Sequence, residues 1–400
     1  MLKKKIIIVS HAMEIGGAER ALLGLLNSVD YLKYEVDLFL ARQEGELLKF
    51  LPKEVNVLPI NQARYLAVPM KVLISGRQIK MLYGRLKAKF LAKKKVKTLG
   101  LRKENQVELT YSHKYTWKYM DDINPDIEYD LAISFLAPHY ICLHHIKAKK
   151  KIAWIHTDYS TIDVDIETEL DMWQEYNYIV SISEKVTGTF LQKFPTLRDK
   201  IIEIDNIVTN NMIVEQADEP IDIEFDRGEY IKLLSVGRFS YAKNFDNIPQ
   251  ICKHILEQGV NIKWYLVGYG GDEQLIRENI EKYGMEEYVI ILGKKDNPYP
   301  YIKNCDIYVQ PSRYEGKAVT VREAQLLQKP VIITNYPTAH SQVENGYDGV
   351  IVPLNSEKCA DEIVRVIRDE QLQNKLIRNM NKANYSNESE IQKIYKIIGE

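Results

Sequence analysis

Short apolar runs alternate with longer amphipathic stretches along the 400 residues of the chain. Most of these runs lack the polar alternation of a half-exposed strand, which is typical of strands buried on both faces in a parallel sheet flanked by helices. The repeated strand-then-helix order predicts a doubly wound α/β architecture. The predicted strands are 6–10, 36–40, 55–59, 131–135, 152–155, 179–183, 201–204, 233–237, 262–268, 289–293, 307–310, 331–334 and 350–352.

The strand–helix order breaks once, in the polar and acidic segment 206–229, which has no clear periodicity. The predicted strands on either side of this segment suffice for two sheets, which fit two domains better than one long sheet. We therefore expect an N-terminal Rossmann-like domain at 1–205, a linker at 206–229 and a second Rossmann-like domain at 230–385. A C-terminal helix near 386–400 is a candidate to pack back on the first domain.

Charge is distributed unevenly between the two halves of the sequence. Residues 1–200 carry 31 Lys and Arg against 24 Asp and Glu, a balance of +7, whereas residues 201–400 carry 23 against 31, a balance of −8. The two halves are therefore expected to meet different partners. Four cysteines, none of them in a CxxC pair, favour a reducing, cytoplasmic compartment over a disulfide framework or a zinc site. They are Cys142, Cys252, Cys305 and Cys359.

The basic segment 71–103 contains twelve Lys or Arg residues and no Asp or Glu. Its apolar residues recur at helical spacing and predict an apolar stripe on a basic helix. They are Val72, Ile79, Leu82, Leu86 and Phe90. Two interpretations stay open: a solvated surface helix, or a helix that docks on anionic lipid at the inner face of the plasma membrane. No nucleic-acid motif accompanies the charge. No run of 18 apolar residues predicts a membrane span, and the apolar run 6–9 is too short for a signal peptide.

Two loops after predicted strands have residues suited to bind a phosphorylated ligand. Gly16 and Gly17 precede a helix, whose N-terminal N–H groups can bind an anion, although the sequence does not match GxGxxG. Arg238 and Lys243 follow a strand that ends in glycine, and two cations in one loop suit a diphosphate. The alternative for each loop is an ordinary tight turn or a pair of solvated cations.

The segment PSRYEGKAVTVREAQ at 311–325 has two glutamates eight positions apart, between a predicted strand and a helix expected to begin near Val319. Glu315 is then expected in the loop at the carboxyl end of the strand, and Glu323 about one turn inside the helix. Glu-x7-Glu is a weak motif alone, and its position after a buried strand makes it more specific.

With these motifs in place, the chain resembles a family-4 retaining glycosyltransferase of the GT-B fold, the group that builds bacterial capsules, exopolysaccharides and lipopolysaccharide. In the second half the resemblance is carried by the Arg238–Lys243 loop, the glycines of YLVGYGG at 265–271, the Glu-x7-Glu segment, KPVIIT at 329–334 and ENGYDGVIVP at 344–353. The first half matches more loosely, through the paired glycines, WIHTD at 154–158 and SISE at 181–184.

The resemblance implies a fold, a reaction and a set of site residues. The two domains would face a central cleft, and a sugar would pass from a nucleotide-diphosphate sugar, a UDP-hexose or UDP-N-acetylhexosamine, to a glycan or polyprenyl-linked saccharide. Arg238 and Lys243 would hold the diphosphate, Glu323 the ribose and Glu315 the sugar. The implied remaining contacts are backbone N–H groups of Gly316, Lys317, Ala318 and Val319, the loop of Gly16 and Gly17 over the phosphates, and His156 beside the sugar and acceptor. Lys317 and Ala318 replace the usual Phe-Gly of the family.

The reaction is expected to need neither a metal ion nor a cofactor. Asp163 and Asp165 form an Asp-x-Asp pair, but they lie in an acidic stretch that we interpret as a solvated helix start. Arg238, Lys243 and a helix N-terminus can stabilise the departing diphosphate instead. His156 could also be a core histidine beside Trp154. Two other functions stay open, a nucleotide-sugar epimerase and a non-catalytic partner subunit of a glycosyltransferase.

Overall fold

A computed structural model of the chain describes residues 3–66, 68–101, 105–221, 229–316, 318–383 and 385–399, with the backbone alone at 210–212. The chain divides into two compact units. The first unit contains Met1–Ile207 together with Glu388–Glu400, and the second contains Val208–Asn387. All four cysteines are free and buried, and burial raises the pKa of each thiol to about 12.

The first unit is built on a seven-stranded parallel sheet. Its strands are β1 (Lys4–Ser10), β2 (Tyr34–Leu40), β3 (Asn56–Val57), β4 (Tyr129–Ser134), β5 (Ala148–Ile155), β6 (Tyr178–Ser181) and β7 (Ile201–Glu203). Their order across the sheet is β3-β2-β1-β4-β5-β6-β7, and Ile6 of β1 pairs with Val36 of β2 and Leu131 of β4. The apolar runs fill the middle of the sheet because helices cover both faces.

Seven helices lie between the strands of the first unit in the described residues. They are α1 (Gly17–Asn27), α2 (Met70–Ser75), α3 (Ile79–Leu99), α4 (Val107–Thr116), α5 (His139–His144), α6 (Ile166–Trp173) and α7 (Glu184–Lys193). The predicted basic helix is broken in two, because α2 ends before a turn at 76–78 in which Arg77 has φ of +52°.

The second unit is built on a six-stranded parallel sheet with the order β10-β9-β8-β11-β12-β13. Its strands are β8 (Ile231–Val236), β9 (Ile262–Val267), β10 (Val289–Gly293), β11 (Ile307–Gln310), β12 (Val331–Thr334) and β13 (Val350–Val352). Its helices are α8 (Asn210–Ala217), α9 (Ile248–Glu257), α10 (Glu273–Tyr283), α11 (Tyr299–Asn304), α12 (Val319–Leu326), α13 (Ser356–Arg368) and α14 (Glu370–Lys382). The predicted α/β class with two Rossmann-like domains is confirmed.

The chain passes from the first unit to the second at Ile207–Val208, inside the segment expected to be a linker. Helix α8 occupies part of this segment, with Ile213 and Ala217 buried in the core of the second unit. The expectation of an irregular linker across 206–229 is therefore wrong for the residues of α8. Residues 222–228 lie outside the described ones. Among the described side chains of α8, the apolar Ile213 and Ala217 enter the core, and Val214 is exposed, which leaves little periodicity in the sequence.

The last helix, α15 (Ile391–Ile398), belongs to the first unit rather than to the unit that precedes it in the chain. The ring of Tyr395 stacks on Tyr34 with 4.4 Å between centroids, and its hydroxyl accepts a hydrogen bond of 2.8 Å from the backbone N–H of Asp30. Aromatic stacking over an apolar helix face therefore holds the C-terminal segment on β2 of the first sheet.

Each sheet has one point where the strand order reverses. In the first sheet it lies between β1 and β4, and in the second between β8 and β11. At such a point the loops at the carboxyl ends of the two strands diverge and leave a crevice, where open α/β sheets bind ligands. The loops that contain Gly16, Gly17, Lys243 and Glu315 begin at these strand ends.

Candidate functional site

The loop at 237–244, which follows β8, packs against the loop that follows β9. A Cβ added at Gly268 would overlap the carbonyl oxygen of Gly237, and one added at Gly270 would overlap that of Phe239. Only glycine permits this approach of two backbones. The glycines of the second loop therefore fix the position of the first, which contains the two predicted phosphate-binding cations.

Lys243 and Glu315, for which the resemblance implies separate tasks, form an ion pair with 2.5 Å between Nζ and Oε1. The pair is largely buried, with 21% of the Lys243 side chain and 9% of the Glu315 side chain exposed. Arg238 is exposed on the same loop as Lys243 and forms no ion pair with any residue that the structure describes. The pair lies where β8 and β11 end, at the strand-order reversal of the second sheet.

Glu315 is oriented by neutral donors as well as by the lysine. Its Oε1 accepts hydrogen bonds from Ser312 Oγ at 2.6 Å and from Gln310 Nε2 at 3.2 Å. Gln310 is fixed in turn by Tyr308, whose hydroxyl donates to its Oε1 at 2.6 Å. All three donors to the Glu315 carboxylate reach the same oxygen, and no described residue donates to Oε2. The second carboxylate oxygen can therefore accept a hydroxyl group of a ligand.

A second ion pair joins the two loops that carry Lys243 and Glu315. The guanidinium of Arg313 donates to both carboxylate oxygens of Asp246, at 2.8 and 2.7 Å, and also to the carbonyl oxygen of Tyr241 at 2.7 Å. The backbone N–H of Arg313 donates to the carbonyl oxygen of Ala242 at 2.8 Å. Such two-point arginine–carboxylate pairs fix geometry as well as charge.

Glu323 lies inside α12, as predicted, but its side chain is buried, with 1% of the residue exposed. Its Oε1 accepts a hydrogen bond of 2.9 Å from the hydroxyl of Tyr299. Glu323 is therefore buried, whereas Glu315 lies in the loop that precedes α12. Helix α12 begins at Val319, where the sequence predicts it.

The N-terminus of α12 is only partly open to a ligand. The backbone N–H of Ala318 donates to Oε1 of Gln342 at 3.0 Å, so this group is already satisfied. A Cβ at Gly316 would meet no atom within 4 Å, which leaves space beside that residue. Lys317 lies outside the described residues. Gln342 was not a candidate in the sequence, since it follows an unrelated strand.

In the first unit, Gly16 and Gly17 lie at the N-terminus of α1, as predicted. Gly16 is extended, with φ of −160°, and Gly17 is the first helical residue. A Cβ at Gly17 would meet no atom within 4 Å, whereas one at Gly16 would overlap the carboxylate of Glu19. A phosphate at this helix N-terminus would therefore have to move the flexible Glu19 side chain away, because the two anions repel each other.

His156 follows β5 and lies between aromatic rings. Its ring centroid is 4.6 Å from that of Phe135 and 6.3 Å from that of Trp154, nearly parallel to the latter. Burial lowers its pKa to about 3, although a hydrogen bond with the backbone of Phe135 opposes the shift. The ring is therefore neutral at pH 7, and Nε2 has no hydrogen-bond partner.

Asp165 does not lie in a solvated helix start, and that interpretation was wrong for this residue. It precedes α6 with 3% of its surface exposed, accepts a 2.8 Å bond from the Tyr111 hydroxyl and lies 3.4 Å from Lys95 Nζ. Burial alone would raise its pKa, but these hydrogen bonds and the lysine charge outweigh burial and lower it. The described residues contain no group of three or more His, Cys, Asp or Glu side chains arranged to hold a metal ion.

In the basic segment 71–103, the face of α3 that packs against its own unit is not the apolar stripe predicted from the sequence. Helix α3 packs on α4 through small side chains, and a Cβ at Gly84 would crowd the backbone of Tyr115. The buried residues of α3 are Met81, Gly84, Ala88 and Ala92. Small residues at this spacing let two helices approach closely along one stripe.

The larger apolar residues of α3 point to solvent on the opposite face. Their exposed fractions are 75% for Ile79, 61% for Tyr83, 53% for Leu86 and 71% for Phe90. Steps of four, three and four residues place these side chains on one face of the helix. Lysines at 87, 89, 93, 94 and 97 are exposed beside this face or beyond its C-terminal end. No helix among the described residues has both the length and the apolar character needed to cross a bilayer.

Residues 218–383 match the family model described as glycosyl transferases group 1. The second unit carries a glycosyl transferases group 1 domain. The match covers the ion pair of Lys243 and Glu315, the cross-loop pair of Arg313 and Asp246, and α12.

Two curated relatives are named as glycosyltransferases of bacterial polysaccharide biosynthesis. The chain is 29% identical over 170 residues to the amylovoran biosynthesis glycosyltransferase AmsD of Erwinia amylovora. These residues are 42% of this chain and 48% of AmsD. The chain is also 29% identical over 210 residues to the capsular polysaccharide biosynthesis glycosyltransferase CapM of Staphylococcus aureus, covering 50% of this chain and 55% of CapM. The chain thus spans about half the length of these relatives.

Solved glycosyltransferase structures share the fold over nearly the whole chain. A glycosyltransferase from Rickettsia africae superposes with a TM-score of 0.64 at 17% identity, covering 99% of this chain and 98% of that one. TarM of S. aureus superposes with a TM-score of 0.68 at 14% identity, covering 99% and 100% of the two chains. These likenesses confirm the expected fold, and at such identities they concern the fold alone.

Proposed function

We propose that the chain is a family-4 glycosyltransferase that transfers a sugar from a nucleotide-diphosphate sugar to a glycan or lipid-linked saccharide in bacterial surface polysaccharide synthesis. The observation that carries this proposal is the ion pair of Lys243 and Glu315. It lies at the strand-order reversal of a glycosyl transferases group 1 domain, next to the exposed cation of Arg238. A cation and a carboxylate with a free oxygen suit a ligand that joins a diphosphate to a hydroxylated ring.

In the proposed reaction, the bond between the sugar C1 and the β-phosphate oxygen breaks, and C1 forms a bond with an acceptor hydroxyl oxygen. The acceptor proton leaves with the diphosphate. Arg238 and Lys243 stabilise the negative charge that develops on the diphosphate, and Glu315 Oε2 binds a sugar hydroxyl. Fixed charges directed at a departing group are often the largest contribution to catalysis. We propose that configuration at C1 is retained and that these cations make a divalent metal unnecessary.

We propose a uridine nucleotide as the donor. Support comes from relatives of the fold: HepE of Anabaena was solved with UDP-glucose, and TarM with UDP. A poly(ribitol-phosphate) alpha-N-acetylglucosaminyltransferase of S. aureus is 22% identical over 202 residues. A UDP-hexose and a UDP-N-acetylhexosamine are therefore the first donors to test.

The test is incubation of the protein with a panel of nucleotide sugars, with and without polyprenyl-linked saccharide, followed by measurement of free nucleoside diphosphate. We expect release from at least one uridine donor and faster release with the acceptor. Interconversion of the nucleotide sugar without release would favour the epimerase. Neither release nor nucleotide binding would favour a non-catalytic subunit.

We also propose that α3 docks the protein on anionic lipid at the inner face of the plasma membrane, where a lipid-linked acceptor would be found. The exposed residues Ile79, Tyr83, Leu86 and Phe90 form the apolar face of a helix that lies flat on a bilayer, and the lysines beside it match anionic headgroups. Each such cation contributes about 1 kcal/mol near an anionic surface, and salt screens it over about 10 Å.

Vesicle sedimentation tests the docking surface. We expect binding to vesicles that contain anionic lipid, release in high salt and no binding to neutral vesicles. A variant with Lys93, Lys94 and Lys97 changed to Gln should bind weakly. Lys95 should be kept, because it pairs with Glu167 at 3.1 Å and with Asp165. A matched control changes the exposed Lys253 on α9 of the second unit to Gln. Binding that ignores lipid charge would refute the docking proposal.

A further inference from the structure

Asn244 follows Lys243 in the loop after β8, and it is fully buried, with 0% of the residue exposed. Its backbone is left-handed, with φ of +61°. This conformation is unfavourable for most residues other than glycine, and asparagine tolerates it better than most. Among the described residues of the second unit, Gln328 is the one other non-glycine residue with a positive φ, and it is exposed between α12 and β12.

The left-handed residue turns the chain between two neighbours with different environments. Lys243 ends one short helical turn, and Phe245 begins the next, which leads into α9. Phe245 is fully buried, and its ring centroid lies 5.5 Å from that of Phe239. A Cβ added at Gly237 would lie 3.4 Å from Lys243 Cδ, so the lysine stem passes beside this glycine. The turn at Asn244 therefore lets the phenylalanine enter the core while the lysine reaches its ion pair.

The side-chain amide of Asn244 joins the loop of Lys243 to the loop that follows β11. Its Nδ2 donates a hydrogen bond of 2.8 Å to the carbonyl oxygen of Pro311, the first residue after that strand. Its Oδ1 accepts a bond of 2.7 Å from Nδ2 of Asn247, which fixes the orientation of the amide. Both ends of the amide are therefore bonded within the fold.

The bond to Pro311 influences both members of the ion pair. Lys243 is next to Asn244 in the chain, and its Nζ lies 2.5 Å from Glu315 Oε1. Ser312 follows Pro311 directly, and its hydroxyl donates to the same carboxylate oxygen at 2.6 Å. Without the amide, the two loops lose their connection at the point where the cation, the hydroxyl and the carboxylate meet.

Other bonds keep the two loops together when the amide is removed. The guanidinium of Arg313 still pairs with Asp246, and its backbone N–H still donates to the carbonyl oxygen of Ala242 at 2.8 Å. We therefore expect variants of Asn244 to fold. The amide sets the fine position of the lysine, and the loops themselves do not depend on it.

We propose that Asn244 is a positioning residue, which holds Lys243 against Glu315 and so directs its charge at the diphosphate of the donor. This inference rests on the proposed function, since that function takes Lys243 as the cation that contacts the diphosphate. The amide is buried and bonded at both ends, so its effect passes through the lysine. A cation held in place stabilises a departing group better than a mobile one, because it does not have to be reoriented during the reaction.

Asn244→Gly tests the proposal, because glycine adopts the same backbone conformation and lacks only the amide. We expect its affinity for UDP, measured by calorimetric titration, to fall about tenfold. Binding of uridine, which has no phosphate, should stay unchanged in saturation-transfer NMR. Asn247→Ala is a milder variant, which removes the bond to Asn244 Oδ1 and should lower UDP affinity less. Gln328→Gly is the matched control: it places glycine at the other left-handed position and should bind UDP as the wild type does.

A double-mutant cycle with Lys243→Met shows whether Asn244 acts through the lysine. Once the ammonium group is absent, nothing is left to position, so Asn244→Gly should weaken UDP binding no further in the Lys243→Met background. The same cycle is measured on the free protein through the free energy of unfolding. Lys243→Met should destabilise Asn244→Gly less than it destabilises the wild type, because the ion pair is already weakened. Gln328→Gly should show no such coupling.

The inference is overturned if Asn244→Gly binds UDP as the wild type does, if it loses affinity for UDP and uridine alike, or if the losses of the two single variants add in the double variant. If the wild type neither binds UDP nor releases it from a donor, the proposed function fails, and the unfolding cycle alone decides the inference. An equal effect of Lys243→Met on the stability of the wild type and of Asn244→Gly then overturns it.

Discussion

Replacing Lys243 with methionine should remove the positive charge next to Glu315 while keeping the length of the side chain. In the structure Nζ lies 2.5 Å from Glu315 Oε1, and both side chains are largely buried. The variant leaves the carboxylate with the hydrogen bonds from Ser312 and Gln310 but without a counter-charge. We expect the free energy of unfolding to fall by about 1–3 kcal/mol, the range for a buried group that loses its partner.

The effect on sugar transfer should be larger than the effect on stability. If Lys243 contacts the diphosphate, its loss removes a charge directed at the departing group, which corresponds to about 2–4 kcal/mol of transition-state stabilisation, or about 30- to 1,000-fold in rate. Affinity for free UDP should fall as well, because the diphosphate is present in both ligands. The measurements are calorimetric titration with UDP and release of nucleoside diphosphate from the donor.

A double variant separates the two tasks of this lysine. Glu315→Gln removes the buried negative charge, so Lys243→Met combined with Glu315→Gln should regain part of the lost stability. UDP affinity should stay low in the double variant, because the diphosphate still lacks its cation. Lys253→Met is the control, since Lys253 is 46% exposed on α9 and lies 4.0 Å from Glu257. Recovery of normal UDP affinity in the double variant would show that Lys243 only neutralises Glu315.

Three further predictions concern packing, metal ions and acid. Gly268→Ala should destabilise the second unit by about 1–3 kcal/mol, because its Cβ overlaps a backbone carbonyl, whereas Gly271→Ala, which meets no atom within 4 Å, should melt like the wild type. A chelator should leave transfer intact, and activity restored by manganese or magnesium would contradict the metal-independent proposal. Burial keeps three histidines of the first unit neutral, so the stability they allow is present above pH 6.5 and is lost in acid, where only the unfolded chain takes up their protons. The free energy of unfolding should therefore fall by about 4 kcal/mol between pH 7.5 and pH 5.5. A free energy of unfolding that stays constant over this range would refute the prediction. These histidines are His113, His139 and His156.

The strands could be predicted because strands buried on both faces have continuous apolar sequences. The runs at 6–10 and 307–310 coincide closely with β1 and β11. The prediction is poorer where burial is partial. Strand β3 consists of only Asn56 and Val57, both exposed, and β5 extends back through a run of lysines that no apolar pattern indicates.

The order of motifs along the chain predicted which loops carry the candidate site, but not which side chains touch. Lys243 and Glu315 are 72 positions apart, and only the folded sheet brings the ends of β8 and β11 together. The same limit applies to Glu323. Its position one turn inside a helix was predictable, but its hydrogen bond with Tyr299 depends on how α11 packs beside α12, which neither segment's own pattern predicts.

The cavity of about 220 Å³ beside the carboxyl ends of β4 and β5 could not be predicted, because the residues that line it look like ordinary core residues in the sequence. Trp154, Tyr140 and Trp173 belong to three different elements, and buried aromatic residues are common in any α/β domain. Only the folded sheet brings these elements together at the carboxyl ends of β4 and β5, so the position of the cavity follows from the topology and not from the pattern of any one segment.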